Sequence, residues 1–114
     1  MGESKVTVRS ASFGDAGDIF STIRSHPDEL VMRSKSDILQ NIDRFLVAEV
    51  EGRVVGVVSW AILPELGSAR HPSVEIKSLA VERESRGRHV GQALMDEVLR
   101  RVYHDNAARL IGLP

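Results

Sequence analysis

The sequence predicts an α/β (α+β) fold in which a mixed central sheet is flanked by helices, with the elements in the order βααβββαβ. Three observations carry this reading. β-rich runs flank Glu51-Gly52, apolar stripes at helical spacing lie on both sides of that region, and a strand, loop, helix and further strand follow one another in the second half. With 114 residues and 42% hydrophobic content, the chain fits one compact domain covering 1–114.

Residues 5–9 alternate Val6 and Val8 with polar neighbours and read as a short strand. Ala16, Ile19, Phe20 and Ile23 then recur at helical spacing. After the turn-like His26-Pro27-Asp28, Ser34 or Ser36 can cap a second helix carrying Ile38, Leu39, Ile42 and Phe45, a pattern that stops near Arg44. The runs at 45–50 and 53–63 suit antiparallel strands joined by a tight hairpin at Glu51-Gly52.

Pro64, Gly67 and Pro72 predict an exposed loop over 64–72, after which 73–81 resumes as a strand. Val90, Ala93, Leu94, Val98 and Val102 form one broad face of a helix over 90–103. A polar connector at 105–109 would lead to a short buried strand at 110–113, parallel to the strand ending at Val81 and reached by a right-handed crossover. Ligands favour the crevice at the strand ends of such a unit.

Composition narrows the function classes. Fifteen Lys and Arg against sixteen Asp and Glu leave a formal charge of -1, so the global basic field of nucleic-acid binders is missing and nucleic acid is not an expected partner. The chain has no cysteine, which excludes a disulfide framework, thiolate metal sites and a Cys nucleophile. Without an apolar signal at the amino terminus, a reducing cytoplasm is the expected location. No apolar run reaches the roughly 20 residues that cross a bilayer, so no membrane association is expected. His26, His71 and His104 lack paired ligand spacing, no metal is expected, and no serine sits in a nucleophile elbow. Trp60 and Phe45 read as core.

The chemistry concentrates in residues 75–92. Arg86-Gly87-Arg88-His89-Val90-Gly91 lies between a strand and a helix, where unpaired backbone N–H groups and the helix dipole converge on an anion, and the arginines add charge for phosphate. It is neither a Walker loop nor a dinucleotide fingerprint, because the glycines are spaced differently. Residues 83–88 also suit a solvated charged turn, with Gly91 merely permitting close helix–strand packing. Upstream, strand alternation puts Glu75 and Lys77 on one face, about 7 Å apart, with Leu79 and Val81 continuing that face. Glu75 suits acceptance of a proton from an ammonium group, with burial raising its pKa and Lys77 lowering it. A structural ion pair explains the two charges equally well.

The segment Glu75-Ile76-Lys77-Ser78-Leu79-Ala80-Val81, followed by Arg86-Gly87-Arg88-His89-Val90-Gly91-Gln92-Ala93-Leu94, resembles the fourth strand, pyrophosphate loop and third helix of GNAT N-acetyltransferases. The family motif Arg/Gln-x-x-Gly-x-Gly/Ala falls on residues 86–91, with His89 at its first glycine position. If the backbone there requires a positive φ, a side chain at 89 crowds the approach of a diphosphate. The resemblance implies acetyl-CoA as co-substrate. It implies that the backbone of Leu79, Ala80 and Val81 pairs with the pantetheine arm and polarises the thioester, while Arg86, Gly87, Arg88, His89, Val90, Gly91 and Gln92 hold the diphosphate.

More narrowly, Val31-Met32-Arg33-Ser34, the run at 41–49 and the strand at 75–81 resemble the acetyltransferase domain of N-acetylglutamate synthases. That likeness implies transfer of acetyl to a primary amine, such as glutamate or another amino acid, in amino-acid biosynthesis. Glu75 would then be the catalytic base, with Arg33 and Lys77 on the acceptor's carboxylates. Arg33 also reads as an ordinary helix-capping surface arginine. GNAT domains continue beyond the fifth strand with a helix and two strands not found in this sequence, so the exposed sheet edge is expected to be covered by dimerisation, strand exchange or the chain's own loops, with a homodimer the expected assembly. A non-catalytic CoA-binding or regulatory module is the alternative.

Overall fold

In the computed structural model, residues 5–25, 34–65, 68–85 and 89–110 are described, with side chains at 5–25, 34–61, 74–85 and 89–102. The α+β class holds. Strands β1 (Val6–Ser10), β2 (Phe45–Val50), β3 (Arg53–Glu65) and β4 (Ser68–Val81) form an antiparallel sheet in the order β1-β2-β3-β4. Helices α1 (Ala16–Arg24) and α2 (Lys35–Gln40) cover one face and α3 (Val90–Leu110) the other. No helix among the described residues is long and apolar enough to cross a membrane.

Period-two alternation divides the core between the two faces. Leu46, Ala48 and Val50 of β2 point to the α3 side and meet Val90, Leu94, Val98 and Val102, the helical stripe of α3. Phe45 and Val47 point the other way, to Ile19 and Ile23 of α1 and Ile38 of α2. Fully burying each such side chain contributes about 1.5–3 kcal/mol. The β2–β3 connection is the expected two-residue turn, with Glu51 at φ 52° and Gly52 at φ 77°, the paired positive values of a type I′ hairpin. Ser34 caps α2, its hydroxyl accepting from the Asp37 amide at 3.0 Å.

Two expectations are corrected. The loop expected over 64–72 is instead the end of a long β3–β4 hairpin, in which Leu63 pairs with Ser73 and Glu65 with Ser68. The ladder tolerates Pro64 because the register shifts between Leu63 and Glu65, a bulge that removes the need for a proline N–H. Beyond Tyr103, where a polar connector was expected, α3 continues to Leu110. Asp105-Asn106-Ala107-Ala108-Arg109-Leu110 contains neither glycine nor proline, and Ala, Arg and Leu are strong helix formers, so nothing local stops the helix. Leu110, expected to open a parallel strand, therefore ends a helix, and the rest of that strand lies outside the described residues.

A polar cluster fixes the start of the fold. Arg9 on β1 donates to both carboxylate oxygens of buried Asp15 at 2.7 and 2.9 Å and to Glu49 on β2, while the Ser12 amide donates to Asp15 at 2.7 Å. The Arg9 guanidinium, first among these, holds the Asp15 carboxyl well below the usual carboxylate range. On α3, Arg100 and then Arg101 push Glu97 down to about 2, and Arg101 also reaches the Ser10 hydroxyl of β1 at 2.6 Å. Depressed carboxylates contribute stability that is complete above their unfolded pKa, roughly 4, and is lost as pH falls toward the folded value. Asp15→Asn is accordingly expected to lower stability by about 1–2 kcal/mol at neutral pH and to flatten the decline of the urea midpoint below about pH 4. A variant whose pH profile parallels the wild type would show that Asp15 is not a source of acid sensitivity.

Candidate active site

The site is organised by an irregularity in β4. Ser59 on β3 pairs with Ser78, but Trp60 pairs with Ile76, so Lys77 is the extra residue of a β-bulge. The bulge reverses the alternation. Val74 and Ile76 pack on the α3 side before it, and Leu79 and Val81 do so after it, while Ala80 packs on the α1 side. The expectation that Glu75 and Lys77 share a face with Leu79 and Val81 is therefore overturned: strict alternation fails wherever a bulge intervenes. Glu75 pairs across from Ala61, and the Lys77 ammonium donates to the Glu75 carboxylate at 3.1 Å. Both side chains are well exposed, at 45% for Glu75 and 42% for Lys77.

Beyond the bulge, Leu79, Ala80 and Val81 pair on one side with Val58, Val57 and Gly56 of β3. The sheet order leaves the other side of β4 as an edge among the described strands. The Glu82 amide extends the ladder to the Val55 carbonyl at 2.7 Å, and Arg53 grips both Glu82 carboxylate oxygens at 2.7 Å. A single 3-10 turn, Arg83–Ser85, follows, with Ser85 buried. Arg86, Gly87 and Arg88 lie outside the described residues, as does Arg33.

His89 re-enters immediately before α3 with φ 60°, so the position that the family motif gives to glycine does take a left-handed backbone here. Its side chain is exposed, and its carbonyl accepts from the Ala93 amide at 3.0 Å in the first helical turn. Val90 is buried in the core, and Gln92 donates to Asp96 at 2.7 Å. Packing among the described residues does not account for Gly91, since a Cβ there would meet nothing of them nearer than the Val81 side chain at 3.9 Å, ordinary contact. The glycine that close helix–strand packing requires is Gly56 on β3, whose Cβ would lie 2.8 Å from Val90 and 3.2 Å from Leu94. The sequence holds a signal for it only as an interruption of the valine run 54–58.

On the α1/α2 side, next to the bulge, a cavity of about 350 Å³ opens between Asn41 and Arg44, at the end of α2, and Phe45, Ser59, Ala61 and Lys77 of the sheet, with Trp60 also contributing. Phe45 and Trp60 belong to the core, as expected, yet both also wall this space. Sequence reasoning missed Arg44 and Ser59, which become neighbours of one cavity only through the fold. Among the described residues no group of His, Asp and Glu is arranged to hold a metal ion.

Comparison with known proteins places the geometry in context. Residues 15–113 match the model of the acetyltransferase (GNAT) family. An amino-acid acetyltransferase of Vibrio atlanticus (strain LGP32) is 32% identical over 91 residues, covering 78% of this chain and 19% of that protein. An uncharacterised N-acetyltransferase of Chlorobaculum tepidum is 30% identical over 99 residues, 85% of this chain and 60% of the relative. The N-acetylglutamate synthase from Neisseria gonorrhoeae, solved with coenzyme A and N-acetyl-glutamate, superposes with a TM-score of 0.73 at 25% identity, over 98% of this chain and 24% of that one. The chain thus spans between about a fifth and three fifths of the length of these relatives.

Proposed function

The chain belongs to the acetyltransferase (GNAT) family, and on that premise we propose that it transfers an acetyl group from acetyl-CoA to the primary amine of a small, amino-acid-like acceptor. The observation that carries this reading is the bulged edge strand β4, followed by the 3-10 turn Arg83–Ser85 and, after residues 86–88 of the sequence, the buried first turn of α3. The outer edge of β4 at Leu79, Ala80 and Val81 supplies backbone groups with which a pantetheine arm pairs like an added strand. Arg86 and Arg88 provide charge, and the first amides of α3, from His89, Val90, Gly91 and Gln92, provide donors for the diphosphate. Among the described residues, a Cβ at Gly91 would meet only the Val81 side chain at 3.9 Å, and the space beside it suits close approach of that group.

In the reaction, the neutral amine attacks the thioester carbonyl carbon and a C–N bond forms. A backbone amide of β4 stabilises the oxyanion of the tetrahedral intermediate. The C–S bond then breaks, the CoA sulfur leaves with the electron pair, and the proton that the attacking nitrogen sheds in becoming an amide ends on that sulfur. Glu75 accepts the proton released by the ammonium form of the acceptor, directly or through water. Arg33 and Lys77 bind acceptor carboxylates, and glutamate is the first acceptor to test, because one related protein is an amino-acid acetyltransferase and another was solved with N-acetyl-glutamate. A CoA-binding module without turnover draws support from one observation, the exposed Glu75–Lys77 ion pair, and turnover across an amine panel excludes it.

Calorimetric titration with acetyl-CoA, with desulfo-CoA as control, tests the premise. Binding is expected in the wild type and a loss of roughly tenfold or more in the Arg86→Ala, Arg88→Ala double variant, as charge-assisted contacts are removed. Gly91→Ala is expected to leave the unfolding midpoint within about 0.5 kcal/mol of the wild type while weakening acetyl-CoA several-fold, roughly as a steric loss at one contact requires. Absence of acetyl-CoA binding in the wild type would remove the transferase reading.

A further inference from the structure

We propose that Arg44 and Ser59 form a second anion-binding pair, which holds a carboxylate of the acceptor in the cavity beside the β4 bulge. The strongest observation is Ser59. Its side chain lines that cavity, the residue is only 2% exposed, and its hydroxyl has no hydrogen-bond partner among the described residues. A buried hydroxyl without a partner costs about 1–3 kcal/mol, and such groups persist where a ligand or water completes them. Ser59 is flanked in register by buried Phe45 on β2 and Ser78 on β4, so its hydroxyl sits at the floor of the cavity between apolar and small neighbours.

Arg44 supplies the charge. It closes the 3-10 turn Ile42–Arg44 just before β2, is exposed, lines the same cavity, and makes no ion pair among the described residues. The other cation of the cavity, Lys77, is already paired with Glu75. A guanidinium free to approach and a hydroxyl with a proton to donate match the two oxygens of a carboxylate, the guanidinium by its planar fork and the hydroxyl as a single donor. The cavity is large enough for a small amino acid, and Lys77 on its wall carries the proposed base Glu75 on its ammonium at 3.1 Å. The assignment of this ligand as the acceptor rests on the acetyl-transfer reading, whereas the anion site does not.

Calorimetric titration reads occupancy of the cavity without any turnover. Titration with glutarate, a dicarboxylate lacking an amine, is expected to give a saturable heat change that the neutral diamide glutaramide does not. Arg44→Gln is expected to weaken glutarate at least about tenfold, the order of one charge-assisted contact. Ser59→Ala is expected to weaken it several-fold while leaving stability unchanged or raised, because it deletes a buried group without a partner. That split between binding and stability separates a ligand contact from a structural role. The proposal is overturned if glutarate gives no saturable change in the wild type, if glutaramide binds equally, or if Arg44→Gln binds glutarate as the wild type does. A protein that binds glutarate but not acetyl-CoA would retain this site while losing the transferase reading.

Discussion

Replacing Gly56 by valine is expected to destabilise the fold and weaken acetyl-CoA binding together. A Cβ at this position lies 2.8 Å from Val90 Cγ1, 3.2 Å from Leu94 Cδ1 and 3.5 Å from the Ala80 carbonyl oxygen. Val90 and Leu94 are 1% and 0% exposed in the first turns of α3, and a valine's branched side chain has little rotameric freedom with which to retreat. The first turn of α3 must therefore lift from the sheet. Overpacking of this kind costs about 1–3 kcal/mol. Because that turn carries the amides proposed to meet the diphosphate, its displacement also misdirects them, and an error near 1 Å in such positioning costs roughly tenfold to a hundredfold. Urea denaturation and calorimetry read the two effects separately. Gly91→Ala provides the contrast, affinity lost with stability kept. An unchanged unfolding midpoint in Gly56→Val would mean that α3 is not seated on β3 at this glycine.

The parts of the fold legible in the sequence are those decided locally. The Glu51-Gly52 hairpin, the Ser34 cap, the α1 stripe and the start of α3 follow from turn chemistry, capping and periodicity, each readable within a dozen residues. Features that depend on a partner strand were not legible. The bulge at Lys77 exists only relative to Ser59 and Trp60, and it alone turns Leu79 and Val81 away from the face that carries Glu75. Pro64 and Pro72 gave a loop signal, but pairing between strands adjacent in the chain extended the hairpin through both. The same division holds at the candidate site. Residues 86–92 and Glu75 could be picked out as short patterns, whereas Arg44 and Ser59 stand far apart in sequence and share a cavity only because β2 and β3 pair Phe45 with Ser59.

Glu75→Gln is expected to lower kcat/KM for acetyl transfer by about 10²–10⁴-fold, the usual contribution of a positioned general base, with acetyl-CoA affinity preserved. The substitution keeps the shape of the side chain and removes only its capacity to take a proton. Its structural cost is small, because the Glu75–Lys77 pair is well exposed on both sides and such surface pairs are worth at most about 1 kcal/mol. This mismatch between a large kinetic and a small thermodynamic effect makes the experiment decisive. If Glu75 only holds Lys77 in place, the loss falls on acceptor KM, and Lys77→Gln reproduces it. If Glu75 takes the proton, the loss falls on kcat and Lys77→Gln does not reproduce it. Retention of more than about a third of wild-type kcat by Glu75→Gln would assign the proton to solvent, since a base that matters contributes at least roughly a hundredfold. The bulge then has a chemical consequence in either case, because it sets the two charges of β4 on the face of the cavity rather than on the face of α3.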